Sequence, residues 1–189
     1  PIDVSIKRQE VSLPSTTWNV AAENQQFGLI QINIVAASTP SEVEKAINDL
    51  KDRGVSYFIL DLRDNRGGLV DAGLETASLF LTDGILMHEQ YRDQPVKTFD
   101  VDNVGKFSEI PLAVIVNQNT ASAAEIIAGV LKSHDRAILV GHETYGKDSI
   151  QLIYDLVDGS SLHVTAARWW IPELNFPLGD HGLHPDVAI

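Results

Sequence analysis

The 189-residue sequence contains no cysteine, which excludes disulfides, thiolate metal ligands and a cysteine nucleophile. It is also short of positive charge. Lys and Arg number 14 against 26 Asp and Glu, a formal net charge of -12 at pH 7. Such a chain repels phosphate backbones and anionic bilayers, so a protein or peptide partner is expected and nucleic acid is not. No uninterrupted apolar run approaches bilayer-spanning length, and no basic segment followed by an apolar one opens the chain, so neither a spanning helix nor a signal peptide is expected. The first residue is Pro1 rather than methionine, as in a processed or excised chain. There is no internal repeat and no low-complexity tract. What remains is a chain that is 44% hydrophobic, enough for one domain with a substantial core.

The first stretch, IDVSIKRQEVSL, alternates apolar and polar residues and reads as a strand, with PSTTWNVAAENQQ after it as a weakly structured connector. FGLIQINIV, from Phe27, reads as the next strand. Thr39 and Glu42, with Pro40 between them at the first helical position, predict a capping box. Val43, Ala46, Ile47 and Leu50 then follow at helical spacing, and Gly54 closes the helix. VSYFILDLR has the near-continuous apolar character of a strand covered on both faces. A glycine loop, DNRGG, and the helical pattern LVDAGLETASLFL come next. GILMHEQYR, LAVIV and AILVG read as strands, SAAEIIAGVLKSH as a helix, and the segment after Ser149 as a hairpin turning at Asp158-Gly159. Strands alternating with helices imply an α/β core that contains parallel strands, with helices packed on it and a C-terminal β-hairpin.

In NQNTASAAEIIAGVL, residues 117–131, a serine stands among small residues where a helix is about to begin. If the helix starts at about Ala121, Ser122 lies where unpaired backbone N–H groups converge and the helix dipole favours negative charge. An oxyanion formed by its attack on an acyl carbon is stabilised there. The same hydroxyl can instead cap the helix, as can Thr120. A serine nucleophile also needs a base. His134 and His142 are nearest in sequence but fit no triad pattern. Lys147 in ETYGKDSIQ is a second candidate, preceded by Gly146, which permits a close backbone approach. An extended segment from Lys147 places Lys147, Ser149 and Gln151 on one face, where Gln151 can orient the amine. A lysine is a base only when neutral, which takes burial among apolar groups such as Ile150 and Leu152. The alternative is an exposed lysine in a turn.

At these residues the chain resembles a family. LDLRDNRGG, PLAVIVNQNTASAAEIIAGVL, GHETYGKDSIQ and TAARWWIP resemble, in order and spacing, the successive motifs of the carboxy-terminal processing peptidases, also called tail-specific proteases. The resemblance runs from about Phe27 to the C-terminus and implies a ClpP/crotonase-like serine-protease core over 27–189. It also implies a serine-lysine dyad, with Ser122 as nucleophile, Lys147 as general base and Gln151 positioning the lysine. The amides of Ala123 and of Gly67 or Gly68 correspond to the oxyanion hole, the resemblance leaving open which glycine donates. Two residues depart from the family pattern: Arg66 replaces the usual proline before the glycine pair, and Asp148 the glycine after the lysine. Members carry a PDZ domain before the core. Residues 1–26 resemble only the strand and connector that follow it, so a PDZ domain is not expected in this chain. No cofactor or metal is implied, and the family's usual setting implies an extracytoplasmic location: periplasm, cell envelope or thylakoid lumen.

Other clusters have plainer readings. His181, His184, Asp180 and Asp186 in GDHGLHPD match no standard metal spacing. Of Trp169 and Trp170, one ring is expected in the core and the other over a strand, an exposed peptide platform being the alternative. Asp61, Arg63 and Asp64 are expected to hold the glycine loop, and Glu125 to bond nearby backbone without a catalytic part. Two rivals share the implied core: a ligand- or peptide-binding module, as in interphotoreceptor retinoid-binding proteins, and an enzyme acting on acyl-thioesters.

Overall fold

The computed structural model describes residues 13–174 and 181–189. Its centre is a six-stranded sheet in the order β1-β2-β3-β6-β7-β10, formed by β1 (Thr16–Val20), β2 (Phe27–Ile32), β3 (Tyr57–Asp61), β6 (Leu112–Val116), β7 (Ile138–Gly141) and β10 (Val187–Ala188). β1 runs antiparallel to β2, and the remaining neighbours pair in parallel. A second sheet, antiparallel and ordered β5-β4-β9-β8, comprises β4 (Ile85–Tyr91), β5 (Lys97–Asp100), β8 (Ser149–Asp155) and β9 (Ser161–Trp170). Helices α1 (Thr39–Asp52), α2 (Val70–Ser78) and α3 (Ala123–Ser133) lie in the crossovers from β2 to β3, β3 to β6 and β6 to β7, and the β8–β9 hairpin lies in the one from β7 to β10. The α/β architecture with a C-terminal hairpin is the one expected.

The core forms where the apolar patterns of these elements meet. Val43, Ala46, Ile47 and Leu50 are all fully buried, so the helical spacing in α1 marks its inward face. Ile30, Ile32, Leu60, Val114, Val116 and Leu139 bring the central strands into the same cluster. α3 is buried from Ala123 to Leu131, as an apolar helix against a sheet must be. Trp169 is 1% exposed, whereas Trp170 is half-buried and meets His88 of β4 with ring centroids 5.3 Å apart, which rules out a tandem exposed platform.

Several local expectations are corrected. The connector contains β1, because Trp18 and its neighbours pair with β2 from Thr16↔Ile32 to Val20↔Gly28. The strand expected before it, 2–13, lies almost wholly outside the described residues. The Thr39–Glu42 capping box does not form. Ser38 occupies the N-cap of α1, while Glu42 turns to β1, accepting from Ser15 Oγ and the Thr16 amide at 2.8 Å each. Thr39 Oγ1 instead bonds the 34–36 turn. A tertiary partner has outcompeted a local cap. β5, four residues of KTFD on the edge of the second sheet, carries too little pattern to be read from sequence. The hairpin turns at Asp158-Gly159 as expected, with Leu156 N–H bonding Ser160 O at 2.8 Å, and it exposes Ile153, Tyr154, Val157 and Leu162.

Candidate active site

Three loops leave the carboxyl ends of adjacent parallel strands: 62–69 after β3, 117–122 after β6 and 142–148 after β7. Carboxyl ends of parallel strands are where α/β sheets place their sites. The first two loops are laced together. The Asp64 carboxylate accepts from Asn117 Nδ2 and Asn119 Nδ2 at 3.0 and 2.8 Å. Thr120 Oγ1 donates to Leu62 O at 2.8 Å, and the Ala121 amide to Asn65 O at 2.9 Å. Thr120 therefore ties a loop to the end of β3 and is not the cap of α3. Asp61, 2% exposed, takes Arg63 in a two-pronged bond at 2.9 and 2.6 Å, the loop-holding role expected.

This lacing delivers Ser122 to the N-cap of α3, two residues later than the sequence suggests, with φ 57 and ψ -124. A non-glycine residue with such angles is strained and is kept only where its surroundings over-determine it. The side chain is half-buried. Gly67 lies directly behind: a Cβ built there would stand 2.8 Å from Ser122 Cβ and 2.9 Å from the Ala123 nitrogen. The Gly67 amide is already engaged, donating to Asn65 Oδ1 at 2.8 Å. Among the described residues the amides of the exposed Gly68 and of Ala123 have no protein acceptor, so two of the three candidate donors are not engaged elsewhere.

The third loop is joined to this turn by Glu125. Its side chain is fully buried in the first turn of α3 and accepts four hydrogen bonds. Oε2 takes the amides of Ser122 at 2.8 Å and Lys147 at 3.0 Å. Oε1 takes Thr144 Oγ1 at 2.6 Å and the Gly146 amide at 2.7 Å. Burial pushes the carboxyl above the ordinary carboxylate range, while the Thr144 hydroxyl and the amides of Gly146, Lys147 and Ser122 pull it down. Thr144 Oγ1 in turn accepts from the Leu183 amide at 2.7 Å. Backbone bonding by Glu125 was expected, but its reach to the lysine loop was not. Thr144 and Asn65 went unnoticed in the sequence. The available signal was Glu125 itself, a charge inside the otherwise apolar run AAEIIAGVL, which can be buried only with several donors.

Lys147 is half-buried, two residues before β8, and Gln151 is exposed within it; among the described residues no side-chain hydrogen bond joins Ser122, Lys147 and Gln151. Asp148, one departure from the family pattern, needs no glycine, since its φ is not positive, and its carboxylate faces Arg168 at 3.6 Å. His134 sits at the other end of α3 with Nε2 2.9 Å from Ile85 O, which removes it from Ser122. His142 is exposed just after β7. In GDHGLHPD, Asp186 pairs with Lys132 and accepts from the Leu139 amide at 2.8 Å, His181 and His184 flank Glu143, and Asp180 lies outside the described residues.

The sequence pattern of Peptidase family S41 matches residues 26–189. The carboxyl-terminal-processing protease of Picosynechococcus sp. is 35% identical over 188 residues, covering 98% of this chain and 45% of that protein. Carboxyl-terminal-processing peptidase 1, chloroplastic, of Arabidopsis thaliana is 41% identical over 160 residues, covering 84% and 32%. Among solved structures, a photosystem II D1 C-terminal processing protease superposes with a TM-score of 0.80 at 33% identity, covering 96% of this chain and 50% of that one. The chain thus spans no more than half the length of these relatives.

Proposed function

We propose, from the premise that this chain belongs to peptidase family S41, that it is a serine endopeptidase core acting on proteins or peptides near their C-terminus. The observation that carries the reading is the shared oxygen of Glu125, which holds the amides of Ser122 and Lys147 within 3.0 Å of one point. In the mechanism, Ser122 Oγ attacks the peptide carbonyl while Lys147 Nζ takes its proton. The tetrahedral oxyanion accepts from the Gly68 and Ala123 amides, the two candidate donors not engaged elsewhere. Collapse expels the amine, which receives the proton from Lys147, and a water activated by the same lysine then hydrolyses the acyl-enzyme. Gln151 orients the lysine. Gly67 serves by packing, since its amide already belongs to Asn65.

Chloroplastic and cyanobacterial relatives support an extracytoplasmic setting. Among the described residues no helix is long and apolar enough to cross a membrane. The test is cleavage of an unstructured peptide, alongside labelling by a fluorophosphonate, for wild type, Ser122→Ala and Lys147→Ala. Each substitution is expected to lower kcat by about 10³-fold or more, and the double mutant to lose little beyond that, because the pair acts as a unit. Wild-type turnover in either single variant rejects the dyad. A folded wild type that neither labels nor cleaves leaves the binding-module reading in its place.

A further inference from the structure

We propose that Glu125 is a positioning residue for this reaction: its carboxylate fixes the nucleophile turn and the lysine loop relative to each other, and it acts only through them. The inference rests on the Ser122–Lys147 reading above and adds to it a specific device for holding the pair in register.

The arrangement of donors carries the argument. A buried carboxylate has about four acceptor sites, and all four are filled by neutral groups. One donor comes from the nucleophile itself and three from residues 144–147. The oxygen that takes the Ser122 amide also takes the Lys147 amide, so neither backbone can shift without lengthening a bond to the same atom. Behind the lysine loop there is no slack. Gly182 lies so close to Thr144 that a Cβ on it would stand 1.9 Å from Thr144 O, and a Cβ on Gly146 would stand 2.8 Å from His181 O. The Leu183 amide bonds Thr144 Oγ1 from that side at 2.7 Å. The loop is therefore held between the 181–183 segment and Glu125. A buried charge with neutral donors is a poor device for stability alone, because apolar packing serves that purpose as well. It is a good device for alignment, where an error of about 1 Å costs about 10²-fold in rate.

Glu125→Gln tests this because the amide cannot replace the carboxylate on either side. Its NH2 faces either the two amides of Ser122 and Lys147 or the amide of Gly146. The expected result is a kcat lower by about 10²-fold with KM within about threefold, and a matching fall in the rate of fluorophosphonate labelling of Ser122. The near-UV circular dichroism of buried Trp169 should stay native. Thr144→Val provides a gentler variant: it removes one of the four ties and keeps the branched shape, so about a tenfold loss of kcat is expected, restored by Thr144→Ser. If Glu125→Gln does not fold, the Thr144 pair decides. Wild-type kcat in folded Glu125→Gln or in Thr144→Val overturns the proposal. So does a KM that rises as kcat falls, or a loss in Thr144→Val that Thr144→Ser fails to reverse. Ser122→Ala in parallel separates the two readings. If that variant keeps its activity, the dyad itself fails; if it is inactive while Glu125→Gln turns over normally, only the positioning role is lost.

Discussion

Gly67 shows how little room Ser122, the proposed nucleophile, has. Its φ is +93, and a methyl group there would meet Ala121 O at 2.7 Å as well as Ser122 Cβ and the Ala123 nitrogen. Gly67→Ala must therefore strain its own backbone, at roughly 1–3 kcal/mol, and also displace either the serine or the Ala123 amide. We expect a folded protein whose cleavage rate is down by about 10²-fold or more, read by peptide turnover beside a thermal melt; a normal rate would mean that Ser122 does not react from this position. Glu125 makes a second prediction at the same scale. With its carboxyl pushed up by burial, protonation on acidification turns one oxygen into a donor facing donors, so activity should fall at a pH above the usual carboxylate range. Stability runs the other way. A folded-state pKa above the unfolded one contributes stability that is present at low pH and lost as pH rises through the folded value. Acidification should thus silence the enzyme before it unfolds it, a sequence visible by comparing a pH–rate profile with melts in the same buffers. Loss of activity only in step with unfolding would contradict it.

Among the elements, those with a strong internal period were legible: the inward face of α1, the apolar strands β3, β6 and β7, and the hairpin with its Asp158-Gly159 turn. β1 was not, because TTWNV is polar on one side and becomes a strand only through β2, its partner at Thr16↔Ile32. Glu42 misled for the same reason. It satisfies a local cap pattern but is used by Ser15 and Thr16, 27 and 26 residues away. In the site, the serine and the glycine pair were readable from their motifs, whereas the bond from Thr144 to Glu125 spans 19 residues and leaves no local trace. The Glu42 link is itself testable. Burial pushes this carboxyl up, but the Ser15 and Ser38 hydroxyls and the amides of Thr16 and Ser15 outweigh it, and it is held below the ordinary range. Its contribution to stability is therefore present above the ordinary carboxylate pKa and is lost as pH falls through the folded value. Glu42→Ala strands the buried Thr16 amide and should cost roughly 1–3 kcal/mol. Urea titration should show that loss near neutral pH and a smaller one in acid, with kcat unchanged where both proteins are folded. An equal loss at every pH would place the effect in packing and not in the carboxylate.

At the scale of the whole chain, the proposed function makes charge a selector of the polypeptides that arrive. A net charge of -12 surrounds a site in whose first loop Arg63 is already matched by Asp61, while Asp64 and Glu143 stand on the same edge of the sheet. An approaching peptide therefore meets a negative field that the site itself does not reverse. Fields of this kind act on encounter and leave the chemical step alone, so they should appear in kcat/KM and not in kcat. Consider two unstructured peptides with the same scissile residues, one flanked by lysines and one by glutamates. At about 0.01 M salt, where screening sets in over roughly 30 Å, the basic peptide should have the higher kcat/KM, on the order of tenfold. Near 1 M, with screening over about 3 Å, the two should converge. Because the acidic peptide is held back only by distance-dependent repulsion, salt should raise its rate while lowering that of the basic one. Opposite slopes of this kind cannot come from a general effect of salt on the enzyme, which would move both peptides together. A preference for the acidic peptide, or a ratio that salt leaves unchanged, would mean that contacts at the cleft, and not the field of the whole chain, select the substrate.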